Sequence, residues 1–284
     1  CNIYYIQLGQ RVGSQTFYNY FDAFGFTSRT GVDLPSETGF MQYYKANQLG
    51  EVQLASSAFG QAMAITPLQM CTAVAAAVNG GYLVTPHVVD KITDANGNVI
   101  EEIGANVRRQ VISESTSNVI RQIMEYEVGA GTGGGKYAYV SGYRIGGKSG
   151  TSEQLNMDRR ADGDYKKVAS FAAVLPADDP EIIVYVMLDD PNNARTDYSS
   201  ILAAPVAGNI ISEVAPYLGI ATDGEDRSQT TVTVPNLIST EWSNAQVQLN
   251  IKGLKHQLME SASDQTAALV TYLSLIHISE PTRP

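Results

Sequence analysis

From Pro67 to Asn79 the chain carries no charged residue, and this apolar run is framed by Thr66 and Pro67 at its start and by Gly80 and Gly81 at its end. Threonine ahead of proline is the arrangement of an N-cap with a first-turn proline, and a glycine pair stops a helix. The frame predicts a helix buried on most sides, with Cys71 a small core residue and not a nucleophile. Ser113 to Val128 repeats the logic, with Val119, Ile120, Ile123 and Met124 at helical spacing as the expected apolar face. A glycine-rich loop, Gly129 to Gly135, follows.

Val168 to Leu175 and Glu181 to Leu188 are two β-rich runs joined by Pro176, Ala177, Asp178, Asp179 and Pro180, which predicts an antiparallel hairpin. Arg144 to Gln154 is expected to add a neighbouring strand. Ser199 to Leu218 is apolar again and is expected to be helical in its second part, with Ile210, Ile211, Val214 and Leu218 on one face. Strands covered by buried helices imply an α+β domain with a layered core. The chain turns polar and acidic at 222–231, the composition of an exposed linker, so a domain boundary is expected there. Beyond it, a strand at Thr231 to Val234, a helix bearing Trp242, Ala245 and Leu249, and a strand from Leu254 predict a small β-α-β module.

Composition narrows the function classes. The 284 residues carry 29 acidic and 19 basic side chains, a net charge of −10, which argues against nucleic acid or an anionic lipid surface as the main partner. Two cysteines are too few for a disulfide framework, and three widely spaced histidines offer no metal-ligand spacing. The longest apolar stretches are read as shorter than the roughly 20 residues of a membrane span. The chain opens at Cys1 instead of a methionine, so it is expected to continue a longer one, with any anchor upstream. The last twelve residues, 273–284, are similar to the conceptual translation of a sequencing adapter and are left out of the functional reading.

Gly142 to Ser149 satisfies the G-x-x-x-x-G-K-[ST] pattern of a phosphate-binding loop, and Ile182 to Leu188 followed by Asp189 and Asp190 imitates a strand ending in a magnesium-binding aspartate. That chemistry needs a helix straight after the lysine, whose free N–H groups meet the phosphate. Gly150 to Tyr165 has no helical period. The five-residue turn that follows builds antiparallel strands, whereas nucleotide folds of this kind need parallel strands with long crossovers. The same residues make better sense on a sheet-edge strand beside a cleft. Lys148 and Gly150 would then share one face and Ser149 and Thr151 the other. Gly150 would let a substrate backbone lie close, while Lys148, Ser149 and Thr151 could bind a carboxylate.

Those residues resemble the class B penicillin-binding proteins, whose transpeptidase domain carries Ser-x-x-Lys, Ser-x-Asn and Lys-[Ser/Thr]-Gly motifs. Gly146 to Glu153 (GGKSGTSE) is similar to the third motif, and Cys1 and Asn2 look like the tail of the second with its serine cut away. Thr30 to Glu37 (TGVDLPSE), Phe59-Gly60-Gln61 and Ile65 to Gln69 (ITPLQ) are similar to family signatures, in family order. Ala62 departs from the pattern, where the family often has a second glycine. From Val234 (VPNLIST) the tail resembles a truncated PASTA module. The organisation implied is an incomplete transpeptidase domain at 1–221, a linker at 222–231, a PASTA-like module at 232–272 and the adapter-like tail at 273–284.

The resemblance implies a penicillin-binding transpeptidase or serine β-lactamase-like fold, and peptidoglycan cross-linking by D,D-transpeptidation of D-Ala-D-Ala stem peptides in the parent protein. It implies roles for Lys148 in proton transfer, for Ser149, Gly150 and Thr151 in substrate binding, for the Thr151 N–H in the oxyanion hole, and for Asn2 in orienting the substrate amide. No cofactor or metal is implied. The implied partners are stem peptides, β-lactam antibiotics and a glycosyltransferase of the cell-wall machinery, on the extracytoplasmic face of the membrane. No nucleophilic Ser-x-x-Lys lies in these residues, so the chain alone is expected to be inactive. A D,D-carboxypeptidase, a β-lactamase or penicillin-sensing receptor and a non-catalytic muropeptide-binding protein are the competing readings.

Overall fold

Helices α1 (Asn2–Val12), α2 (Ser14–Ala23), α3 (Glu51–Ala58) and α4 (Pro67–Val78) occupy the first part of the chain. Two antiparallel ribbons follow, β1 (Tyr82–Thr85) with β4 (Asn106–Gln110) and β2 (Lys91–Thr93) with β3 (Val99–Glu102). After α5 (Glu114–Gly129), strands β5 (Gly146–Glu153), β6 (Lys167–Leu175) and β7 (Ile182–Asp189) form an antiparallel sheet in that order. Then come α6 (Ser199–Leu202), α7 (Ala204–Leu218) and α8 (Trp242–Ile251). This computed structural model describes residues 1–39, 41–129, 134–154, 159–160, 163–191, 198–223 and 236–251. The expected strands of the module at 231–234 and from 254, most of the linker, and the tail at 273–284 lie outside the described residues.

The hairpin and its third strand form as the turn chemistry requires. Central β6 is covered on both faces. Phe171, Ala173 and Leu175 join Val128, Ala203, Ala207 and Ile211 in one core cluster, while Val174 packs with Val78 and Met124 in another. Helices therefore lie on both sides of the sheet, and α5 reaches both clusters through Met124 and Val128. This close approach explains the start of β5. A Cβ on Gly146 would lie 2.8 Å from Val174, and one on Gly147 would lie 2.5 Å from the Phe171 ring. Arg144, just before the strand, binds Glu125 of α5 through two nitrogens at 2.6 and 2.8 Å and Asp178 of the β6–β7 turn at 2.5 Å.

The family signatures prove to be joints. Thr66 accepts from the Gln69 N–H, and the Gln69 side chain accepts from the Thr66 N–H, a capping box at the head of α4. The other end of the Gln69 amide, only 2% exposed, donates to the Ser28 carbonyl at 2.8 Å. Glu37 closes its loop by accepting from the N–H and hydroxyl of Thr30 and from the Gly31 N–H, which hold its carboxyl below the ordinary value against the opposing effect of desolvation. Asp33 accepts from the N–H groups of Val88 and Val89. Ala62 stands at φ 64°, the left-handed region, which explains why a glycine suits that position. Cys71 is partly buried, and burial pushes its thiol pKa up, as expected of a packing residue.

Three expectations need correction. In α5 the inward residues are Ser117, Met124 and Val128, with Ile120 packed beside them, whereas Val119 and Ile123 are exposed. In α7 the buried stripe is Ala204, Ala207, Gly208, Ile211 and Ala215, and Ile210 and Leu218 face outward. Small residues win there because the backbones approach closely: a Cβ on Gly208 would lie 3.2 Å from the Ala138 carbonyl oxygen. Third, Ser199–Leu218 is long and apolar enough to cross a membrane by length and composition, longer than the sequence reading allowed. It instead forms the short α6 and the longer α7, whose small-residue stripe joins the sheet's core.

Candidate active site

Among the described residues β5 pairs only with β6 and so runs at the edge of its sheet. In an antiparallel ladder, alternate residues turn both their N–H and C=O toward the partner, and the residues between turn both away. The Gln154 N–H donates to the Lys166 carbonyl, so even-numbered positions of β5 face β6. Gly147, Ser149, Thr151 and Glu153 therefore direct their backbone polar groups to the open edge. Two of those carbonyls have side-chain donors. Lys148 Nζ donates to the Ser149 oxygen at 2.6 Å, and Gln61 Nε2 donates to the Thr151 oxygen at 3.3 Å. The Ser149 and Thr151 N–H groups have no acceptor among the described residues.

The expected division of faces holds. On the even side, Lys148 is exposed, Gly150 lies beside Ser170, whose hydroxyl donates to the Gly150 carbonyl, and Ser152 donates to Gln61 Oε1 at 3.3 Å. On the odd side, the Thr151 hydroxyl donates to Ser199 Oγ at 3.0 Å and accepts from the Ser199 N–H at 3.2 Å. Ser199, 3% exposed, opens α6 at the edge of the main core. Ser149 is half-buried, and its hydroxyl has no hydrogen bond among the described residues. Nearby, the Gly134 N–H donates to Glu127 Oε1 at 3.0 Å; a Cβ on Gly134 would lie 3.6 Å from Ser149 Oγ.

The structure thus brings Lys148, Ser149, Gly150 and Thr151 together on one exposed edge. Asn2 is the first residue of α1 and exposed, and no hydrogen bond joins it to β5 among the described residues. The phosphate-loop reading fails on geometry: the backbone continues as strand from Lys148 to Glu153, so no helix N-terminus follows the lysine. No cluster of three or more metal-ligating side chains occurs among the described residues. A cleft of about 280 Å³ lies at the opposite end of β5, between Arg144, Tyr143, Tyr139 and Asp223, away from this edge.

Sequence reasoning had noted Gln61 only as part of a signature and had missed Ser199 altogether. The signal available for Ser199 was a pair of serines heading an apolar run, which marks a polar anchor at a helix start.

An edge strand bearing Lys-Ser-Gly-Thr, on an antiparallel sheet with helices on both faces, defines a penicillin-binding transpeptidase fold. Residues 1–212 match the family model described as the penicillin binding protein transpeptidase domain. The chain belongs to that family. It is 36% identical over 263 residues to stage V sporulation protein D of Bacillus subtilis, covering 88% of this chain and 40% of the relative. It is 33% identical to the probable peptidoglycan D,D-transpeptidase FtsI of Caulobacter vibrioides, covering 77% of this chain and 37% of that protein. The crystal structure of penicillin binding protein 3 from Mycobacterium tuberculosis complexed with aztreonam superposes with a TM-score of 0.67 at 29% identity, over 78% of this chain and 50% of that one. The chain therefore spans well under half the length of these curated relatives.

Proposed function

We propose that the full-length protein carrying this chain cross-links peptidoglycan by penicillin-sensitive D,D-transpeptidation, and that β5 forms one wall of its active site. The observation that carries this reading is the open edge of β5, where the Ser149 and Thr151 N–H groups, without an acceptor among the described residues, lie beside Lys148. A serine contributed from outside this chain attacks the carbonyl carbon of the penultimate D-alanine. D-Alanine leaves with the serine's proton, and the amine of a second stem peptide then displaces the serine, giving up the proton that the serine oxygen takes. Dividing one substitution into two acyl transfers lowers each barrier. The Thr151 N–H, directed to the open edge, would donate to the oxyanion of each tetrahedral intermediate, and one such donor typically contributes about 3 kcal/mol. Lys148 supplies positive potential and supports proton transfer, Gly150 leaves room for the peptide backbone, and Asn2 orients the substrate amide once the segment before it is present.

The relatives' names, a stage V sporulation protein and a probable peptidoglycan D,D-transpeptidase, support a role in peptidoglycan synthesis; a task in spore or septal wall, an extracytoplasmic site, a membrane anchor and a glycosyltransferase partner belong to the same proposal. Leu237, Trp242, Ala245 and Leu249 pack as a small cluster of their own, which supports a separate module after the linker, read here as PASTA-like. A fluorescent penicillin should label the full-length protein covalently and leave this chain unlabelled. The full-length protein should also release D-alanine from a pentapeptide only as fast as an amine acceptor is consumed. Absence of label on the full-length protein would sink the reading; D-alanine release matched by water instead of amine would make it a carboxypeptidase.

A further inference from the structure

Two acidic side chains near the end of α5 meet different fates. Glu125 is paired through both oxygens with Arg144. Glu127, half-buried, has no basic side chain within ion-pair distance among the described residues, and it takes a single hydrogen bond there, from the Gly134 N–H to Oε1 at 3.0 Å. An ionised carboxylate can accept about four hydrogen bonds, so most of this one's capacity is unused. It stands beside the reactive stretch of β5. A point one Cβ out from Gly134 lies 3.5 Å from Glu127 Oε1, 3.5 Å from the Ser200 Cβ and 3.6 Å from Ser149 Oγ, so carboxylate and hydroxyl border the same spot. A partly desolvated anion without a partner costs free energy until a cation is brought to it.

The second substrate of transpeptidation is such a cation, because a primary amine is an ammonium at neutral pH. Resting on the transpeptidase reading, we propose that Glu127 binds the acceptor: once D-alanine has left, its carboxylate and the Ser149 hydroxyl oxygen receive the ammonium of the second stem peptide. The docked ammonium gives one proton to bulk water and attacks as the amine, and the proton it sheds on forming the new amide bond goes to the departing serine oxygen. Water competes for the same acyl group and carries no charge. A fixed anion at this place therefore raises the local concentration of the amine without helping water, and it biases the second step toward cross-linking over hydrolysis. The bond from Gly134 holds the side chain in place for this task, and its acceptor oxygen does not need the charge.

That difference supplies the test. Glu127→Gln keeps an oxygen for the Gly134 N–H and loses only the charge. In the full-length protein, acylated by a D-alanyl thioester donor, transfer is measured to glycylglycine, an ammonium at neutral pH, and to hydroxylamine, which is uncharged there. Glu127→Gln should raise the KM for glycylglycine about tenfold or more, the loss expected for one hydrogen bond between charged groups, with kcat little changed. The KM for hydroxylamine and the rate of penicillin acylation, a step without an amine, should stay within about twofold of wild type. Should the variant not fold, the wild type carries the same contrast: added salt should raise the KM for glycylglycine and leave that for hydroxylamine unmoved. An unchanged KM for glycylglycine in Glu127→Gln, an equal loss with both acceptors, or equal salt dependence of the two would overturn the assignment while the transpeptidase reading stands. A wild type that penicillin does not acylate, or that transfers to neither acceptor, would instead remove that reading and this proposal with it.

Discussion

The two halves of β5 are adjacent in sequence and opposite in purpose. Gly146 and Gly147 are buried and lie where any side chain would overlap Val174 or Phe171. Lys148 to Thr151 are exposed or half-buried, and the backbone groups of Ser149 and Thr151 turn to an open edge. The first half is chosen for what must not be there, the second for what must be presented. Substitutions in the first half should therefore cost stability, and those in the second should cost chemistry at nearly constant stability.

The largest effect should come from Lys148→Ala in the full-length protein. Penicillin acylation should fall by roughly 10²–10⁴, the range for losing a group that takes part in proton transfer, while the melting temperature stays close to wild type because the side chain is exposed. A parallel drop in stability would erase the contrast between the halves. Next is Gly147→Val, whose Cβ would sit 2.5 Å from Phe171 on a strand pinned by the β6 ladder. The cost should be about 3 kcal/mol, the upper part of the usual overpacking range, read from the denaturation midpoint of this chain. An unchanged midpoint would mean that β5 can shift away from the core.

The walls around the strand sharpen the comparison further. Ala62 occupies a left-handed conformation one residue after Gln61, the side chain that caps Thr151. Ala62→Gly should relieve up to about 1 kcal/mol of backbone strain, offset in part by the freedom glycine adds to the unfolded chain. The gain should show as a higher midpoint with acylation unaltered. The smallest effect concerns Glu37, whose folded pKa is lowered by its hydrogen bonds to Thr30 and Gly31. Its contribution should be complete above the ordinary glutamate value of about 4.3 and fade as pH falls through the lower folded value. Melting curves of wild type and Glu37→Ala should differ at pH 6 and draw together below pH 4; a gap that widens in acid would reverse the sign.

What was legible in the sequence depended on how local its cause was. α4 could be read from Thr66, Pro67 and the glycines behind it because a cap is settled within four residues. The β6–β7 hairpin could be read because a five-residue turn admits one pairing. The inward faces of α5 and α7 could not be read from hydrophobicity alone. Close packing selected Ser117, Ala204, Ala207 and Gly208 for the inside, and left Val119, Ile123 and Ile210 outside. The four residues of the site on β5 were visible as a motif. The side chains that hold it, Ser199 and Gln61, come from 48 and 90 residues away, and no local pattern carries that distance.

The exposed margin of β5 has a further consequence for how the protein behaves in a crowd. Zipping two such margins together needs each strand to offer acceptors as well as donors, yet the oxygens of Ser149 and Thr151 already have partners in Lys148 and Gln61. Two molecules meeting edge to edge would crowd the Lys148 and Gln61 side chains seated on those oxygens and bring ammonium toward ammonium. A strand left open for a peptide is in this way guarded against its own copies, without a bulge or a proline to blunt it.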